Sequence, residues 1–213
     1  LKSIHHANFV HRDFHSGNIF VIAATIWKIG DLGLSQPANI PLLNNEIYGV
    51  IPYIAPEIFK GAKFSQASDI YSMGMIMWEC TTGCKPFSNI EHNHRLIYNI
   101  IDGRRPEITE DTPECLANLI KSCWNPNPKN RPTINKVYET LETLYPLNPR
   151  SSEYDRILEE AESKRLELIR LKKLGPEFTE KPHSKAIYTS RSLRSLLPNS
   201  SSSINSFNTK QGT

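Results

Sequence analysis

The chain has 213 residues, 38% of them hydrophobic, and a formal net charge of +3. That gives room for one globular domain with a sizeable core and an added tail, and excludes a second large domain. The slight basic excess sits toward the C-terminus, which argues against a nucleic-acid groove across the folded part, and no apolar run approaches the roughly 20 residues of a membrane-spanning helix.

The chain starts without Met, and residues 1–10 place Leu1, Ile4 and Phe9 or Val10 at the apolar end of a helix that runs into a loop. The expectation is a truncated helix and a fragment of a longer protein. Short β-branched runs over 19–22 and 26–29, either side of a small turn, predict a hairpin. From 34 to 53 the residues Pro37, Asn39, Pro41, Gly49 and Pro52 recur without period, predicting a long irregular loop, and such loops in compact domains are usually functional. Residues 68–80 are apolar around most of a helix, with Ser68 as cap and Gly83 near the end, so this helix belongs in the core. A third helix joins Ile90, Leu96, Ile97, Ile100 and Ile101. A fourth starts with Thr112 as cap and Pro113 at its first position, burying Leu116, Leu119, Ile120 and Cys123. A last core helix follows Thr133 and presents Val137, Leu141 and Leu144, with Pro146 and Pro149 closing the domain.

Residues 151–174 form a charged helix, acidic at the front and basic at the back, in accord with the macrodipole. Its incomplete apolar stripe leaves three readings open: a coiled coil, a helix packed on its own domain, or a solvated one. Residues 175–213 are Ser-rich and basic, and predict a disordered tail that carries phosphorylation sites. Four scattered cysteines without C-x-x-C spacing, and only a loose His92-x-His94 pair, point to a reduced, cytoplasmic chain without structural zinc.

Three motifs carry the chemistry. Residues 11–18 read H-R-D-F-H-S-G-N, Asp31-Leu32-Gly33 follows thirteen residues after Asn18, and Ala55-Pro56-Glu57 comes later. With Cys123-Trp124 and Arg131-Pro132 in a C-W-x-x-x-P-x-x-R-P ending, residues 1 to about 145 resemble the C-terminal lobe of eukaryotic protein kinases. The tyrosine-kinase and tyrosine-kinase-like branches are nearest. The resemblance implies a mainly α fold over 1–147, with a small β-hairpin carrying the catalytic and metal loops. The partner lobe, with its glycine-rich loop and strand lysine, is expected to be missing.

Phosphoryl transfer needs magnesium at the phosphates, an aimed nucleophile and a carboxylate to accept its proton. Asp13 suits the last role. Asn18 and Asp31 offer the hard oxygen donors that magnesium prefers, and Gly33 is expected to permit a sharp turn beside Asp31. The resemblance further implies that His11 and Arg12 organise the catalytic loop, that Asp69 tethers it, and that Glu57 pairs with Arg131. On the 34–57 loop, Tyr48 is the first candidate phosphosite and Ser35 the second, with Arg12 available to pair a phosphate. His15 and Val50 stand where serine/threonine kinases often carry lysine and threonine, and the tyrosine-kinase form of the loop, with an arginine near its end, is also absent, so the loop fits neither subclass outright and the expectation leans to serine/threonine or dual specificity without excluding tyrosine. The implied partners are ATP, Mg2+, a protein substrate and the ATP-binding lobe, with neither nucleic acid nor membrane. The rival reading is a noncatalytic binding module that docks partners through the 90–101 or 151–174 helix.

Overall fold

The computed structural model describes residues 1–23, 26–39, 46–144, 152–173 and 182–197, with side chains of the charged helix from residue 155. In chain order the elements are α1 (Lys2–His6), β1 (Phe9–Val10), β2 (Ile19–Ala23), β3 (Ile26–Ile29), β4 (Gln36–Pro37) and β5 (Tyr48–Gly49), then α2 (Pro56–Phe59), α3 (Gln66–Thr82), α4 (His94–Ile101), α5 (Glu114–Cys123), α6 (Ile134–Leu144), α7 (Ser152–Arg170) and β6 (Arg191–Ser192). The strands form three separate antiparallel ribbons, β1 with β4, β2 with β3, and β5 with β6. The core is helical.

α3 is the axis of that core. Nearly all of its circumference is covered, from Ile70 and Tyr71 through Met75 to Trp78, as its unbroken apolar composition requires. It meets α5 at Gly74, where a Cβ would come 2.7 Å from the Trp124 ring and 2.8 Å from Cys123 Cβ, so only glycine allows the approach. α5 in turn packs on α6 through Val137 and its neighbours, and α2 packs on α4. The apolar face of α4, Leu96, Ile97 and Ile100, is fully used in this packing.

The hairpin forms where the β-branched runs place it. Ile19 faces Ile29 at its base, and an irregularity in register falls between Val21 and Ala23. It stands clear of the core, leaving Phe20, Val21, Ile22, Ile26 and Trp27 all about half exposed or more. Beneath it lies an apolar cavity of about 850 Å³ whose walls include Phe14, Met77 and Leu116, with Leu158 and Ala161 of α7 on one side. Of the readings open for 151–174, the described helix therefore turns part of its stripe to its own domain.

Five expectations need correction. The cap of α3 is Ser65, not Ser68. Ser65 accepts the Ser68 N–H while the Ser68 hydroxyl accepts the Ser65 N–H, a reciprocal capping box. α5 begins at Glu114 with Pro113 as its cap, and the Thr112 hydroxyl faces Thr109 instead. The 34–53 loop is not wholly irregular, since it contains β4, paired with β1, and β5, paired with β6. The turn after β3 takes its positive φ at Asp31 (55°) and not at Gly33. Finally, the tail is ordered over 182–197. Leu193 is fully buried there, and Tyr188, Leu196 and Leu197 pack on the same core. Pro146, Pro149 and the rest of the Ser-rich stretch lie outside the described residues.

Candidate active site

The loop from His11 to Asn18 leaves β1 in a conformation its residues would not hold alone. Arg12 has φ 72°, in the left-handed region uncommon for a side chain of this size. Asp69, buried in the first turn of α3, holds it there. Its two carboxylate oxygens accept the N–H groups of His11 (2.8 Å) and Arg12 (3.1 Å), and His5 Nε2 lies 2.9 Å away. The His11–Asn18 loop is thus pinned to the core helix by its own backbone. The Arg12 guanidinium donates to the Leu34 carbonyl at 3.3 Å and lies 5.0 Å from the Phe64 ring centroid. Burial pushes its pKa down, with Asp69 opposing.

His11 links the two halves of the site. Its Nδ1 accepts the Asp13 N–H (3.3 Å), which leaves the ring proton on Nε2 to be donated to the Gly30 carbonyl (3.2 Å). Asn18, also buried, spends its amide N–H on the Asp13 carbonyl (2.9 Å), while its backbone carbonyl accepts the Gly30 N–H (2.9 Å). The hairpin therefore closes with Asn18 at one end and Asp31 at the other, as its sequence predicts.

Asp13 is 5% exposed. Burial works to raise its carboxyl pKa. The neighbouring His15, Ser190 and His11 outweigh it, leaving the group below its ordinary 3.8 and ionised. His15 Nδ1 accepts the Gly17 N–H at 3.1 Å, so the Nε2 proton faces Asp13 Oδ1, 3.7 Å away. On the other side, β5 passes so close that a Cβ at Gly49, whose φ is 143°, would lie 3.4 Å from Asp13 Oδ1 and 2.9 Å from Ile54.

Asp31 is exposed, and Asn18 keeps its side-chain oxygen as its coordinating end once the N–H is engaged. One carboxylate and one amide oxygen are too few to cage a metal alone. They fit magnesium, which keeps waters and takes further oxygens from substrate phosphates. Among the described residues no cluster of three or more His, Cys, Asp or Glu side chains is placed to hold a metal.

The other site residues fall as follows. Glu57 and Arg131 form a bidentate pair, both contacts 2.7 Å, and Arg131 also donates to the carbonyls of Ala67 and Asn125 at 2.9 Å. Tyr48 lies exposed in β5. The Ser35 hydroxyl donates to the His11 carbonyl at 3.4 Å. Sequence reasoning missed a polar network beside the loop, in which Glu79 accepts from the Tyr53 hydroxyl (2.6 Å) and Lys85 (2.6 Å), while Lys85 also donates to Ser16 (2.7 Å). Burial, reinforced by Glu79, drives the Tyr53 hydroxyl far above its ordinary pKa, so it stays a donor. It also missed His92, whose Nδ1 accepts the Ile187 N–H at 3.1 Å and whose Nε2 lies 3.1 Å from the Phe87 carbonyl, because nothing local marks a lone histidine as the anchor of a distant tail segment.

The sequence model of the family described as protein tyrosine and serine/threonine kinase matches residues 1–141. Among similar proteins, a probable serine/threonine-protein kinase of Dictyostelium discoideum is 34% identical over 142 residues, covering 66% of this chain and 9% of the relative. Stress-activated protein kinase alpha of the same organism is 37% identical over 148 residues, covering 63% and 23%. Human mitogen-activated protein kinase kinase kinase 7 is 30% identical over 155 residues, covering 72% and 25%. The chain thus spans a quarter or less of the length of these relatives. The match over the whole helical core, and the geometry that joins its motifs, establish that the chain belongs to the protein tyrosine and serine/threonine kinase family.

Proposed function

We propose that these residues supply the catalytic loop and the substrate-docking surface of an ATP- and Mg2+-dependent protein kinase directed at serine or threonine hydroxyls. The observation that carries the reading is Asp13: a buried, ionised carboxylate on a loop fixed by Asp69 and wired through His11 and Asn18 to the turn that bears Asp31. Asp13 accepts the proton of the incoming hydroxyl as the oxygen attacks the terminal phosphorus of ATP. Magnesium, held by the Asn18 oxygen and Asp31, neutralises phosphate charge. Gly33 leaves the turn around Asp31 open, since a Cβ there would meet nothing nearer than Asp31 Oδ1 at 3.4 Å. The 34–57 segment presents β5 to protein substrates, and the exposed apolar hairpin is the surface for an ATP-binding lobe. Tyr48, exposed on that segment, is the favoured regulatory phosphosite, ahead of Ser35.

Of the two helices through which a binding module would dock, α4 has its apolar face buried in the domain, while α7 leaves Leu166 and Ile169 exposed. Transfer of labelled phosphate from ATP to a serine/threonine peptide library, by the protein encoded by the complete transcript, tests the reading. Transfer is expected with the wild type and absent with Asp13→Asn. The 213 residues alone contain no G-x-G-x-x-G, and no transfer is expected from them. Failure of the complete product to label any peptide would refute the assignment.

A further inference from the structure

The described tail, residues 182–197, is laid along one edge of the domain by backbone pairing. His183 N–H donates to the Ser88 carbonyl (2.8 Å), His92 N–H to the Lys185 carbonyl (3.1 Å), Ile187 N–H to His92 Nδ1 (3.1 Å) and Leu193 N–H to the Ile47 carbonyl (2.9 Å). Between these anchors β6 pairs antiparallel with β5, Arg191 opposite Gly49 and Ser192 opposite Tyr48. Two side chains fasten the same path. The Tyr188 hydroxyl donates to the Pro86 carbonyl and the Arg191 guanidinium to the His92 carbonyl, each at 2.9 Å.

Two of these points flank the His11–Asn18 loop. The Tyr188 ring centroid lies 5.8 Å from Lys85 Nζ, which itself donates to Ser16 at 2.7 Å. Arg191 pairs with Gly49, where an added Cβ would sit 3.4 Å from Asp13 Oδ1, so the tail backbone runs one strand spacing, about 4.8 Å, from that contact. Only Thr189 and Ser190 separate Tyr188 from Arg191. The tail therefore crosses the mouth of the loop, and a protein segment that reaches Asp13 along β5 has to take its place. Its attachment suits exchange. Leu193 is the one fully buried residue of 182–197, Tyr188, Leu196 and Leu197 are only partly covered, and residues 182–185, Thr189, Ser190 and Ser192 are exposed. The ion pairs of Lys185 with Glu91 and of Arg194 with Glu46 are solvent-exposed and add little. Main-chain bonds to a strand edge, with one apolar side chain in a pocket, are the means by which strand-edge sites hold extended peptides.

We propose that the β5 edge and the pocket of Leu193 are a docking site for extended protein segments carrying a leucine-sized apolar residue, and that residues 186–193 hold this site in cis. The inference rests on the kinase reading above and adds its regulation, because the tail is then an intramolecular competitor of the protein substrate. Main-chain pairing accepts almost any sequence, so selectivity falls to the pocket. Leu193 joins the main apolar cluster there, where a charged side chain would go unpaired. Occupation in cis lowers the apparent affinity for a competing segment by the fraction of molecules whose edge is free. A substrate with the same apolar residue displaces the tail, and one without it does not.

Amide exchange on the complete transcript's product, together with binding of a fluorescent synthetic peptide of residues 184–197, tests this. In the wild type the Leu193 and Ile187 amides are expected to exchange slowly and the peptide to bind weakly. Leu193→Asp should speed exchange at both amides, tighten peptide binding several-fold and lower KM for a serine/threonine peptide library with kcat unchanged, while Leu193→Met should behave as the wild type. The peptide carrying the same Leu193→Asp change should not bind. If Leu193→Asp prevents folding, Tyr188→Ala/Arg191→Ala, which loses both side-chain fasteners, is expected to shift binding and KM in the same direction. Fast exchange at Leu193 in the wild type, peptide binding no tighter in the released variants, or a KM that does not move would overturn the proposal and leave the kinase reading standing. Tighter binding by the released variants, without phosphate transfer by any of the proteins, would uphold the docking site and remove the kinase reading.

Discussion

At the residue scale the site depends on how few groups hold Asp13 and how completely they are committed. His11 and Asn18 each spend one side-chain group on the backbone of Asp13, so neither can relax without moving the base. Because the folded pKa of Asp13 lies below its ordinary 3.8, its ionised form stabilises the native state fully above that value, and the contribution is lost only as pH falls through the lower folded pKa. A pH–rate profile should therefore show no acid limb from Asp13 between about pH 5 and 8. Asp13→Asn keeps the shape, removes the acceptor and is expected to lower kcat by about 10²–10⁴, with an unchanged circular dichroism spectrum. Glu57 and Arg131 act on stability instead. The Arg131 side chain is fully buried while Glu57 is partly exposed, so Glu57→Ala strands the buried Arg131 charge and should cost about 3–5 kcal/mol. The Glu57→Ala/Arg131→Met double variant, followed by urea denaturation, should recover much of that loss.

At the scale of elements, the seam between α3 and α5 sets the core. Gly74→Ala puts a methyl group into the Trp124 ring with little slack on either side. The expected loss is about 1–3 kcal/mol, read as a fall in the urea midpoint at constant m-value. The core helices and the hairpin were legible in the sequence because their signals are local: apolar spacing in α3 to α6, β-branched runs in β2 and β3, and the catalytic motif in one unbroken loop. Caps were less so, since Ser65 and Ser68 are equally good capping residues and only the reciprocal bonding shows which one leads. The left-handed turn fell on Asp31, where the hydrogen-bonded ends of the hairpin force it, and not on the glycine two residues later. β6 was illegible for a different reason. Its anchor is Leu193, flanked by Tyr188, Leu196 and Leu197 packed on the same core, and full burial of Leu193 is worth about 1.5–3 kcal/mol. That gain exists only against Ile47 and β5, far away in the chain, and no window of sequence contains both partners.

Across the whole molecule, the chain brings together the proposed base Asp13, the proposed metal-ligand oxygens of Asn18 and Asp31, and β5 with β6 paired along it. α3 coordinates them all, with Asp69 fixing the catalytic loop, Ser72 donating to the Tyr53 carbonyl at 2.7 Å, and Glu79 holding the Tyr53 hydroxyl and Lys85. The His11–Asn18 loop and Tyr53 are therefore both tied to one core helix, while the hairpin leaves an apolar surface exposed. No described helix is long and apolar enough to cross a bilayer. Most direct for the central claim is phosphate transfer from labelled ATP to a serine/threonine peptide library by the complete transcript's product, wild type beside Asp13→Asn. The account predicts labelling by the wild type and a loss of at least about a hundredfold in the variant. Equal labelling by the two proteins, or none by either, would contradict it.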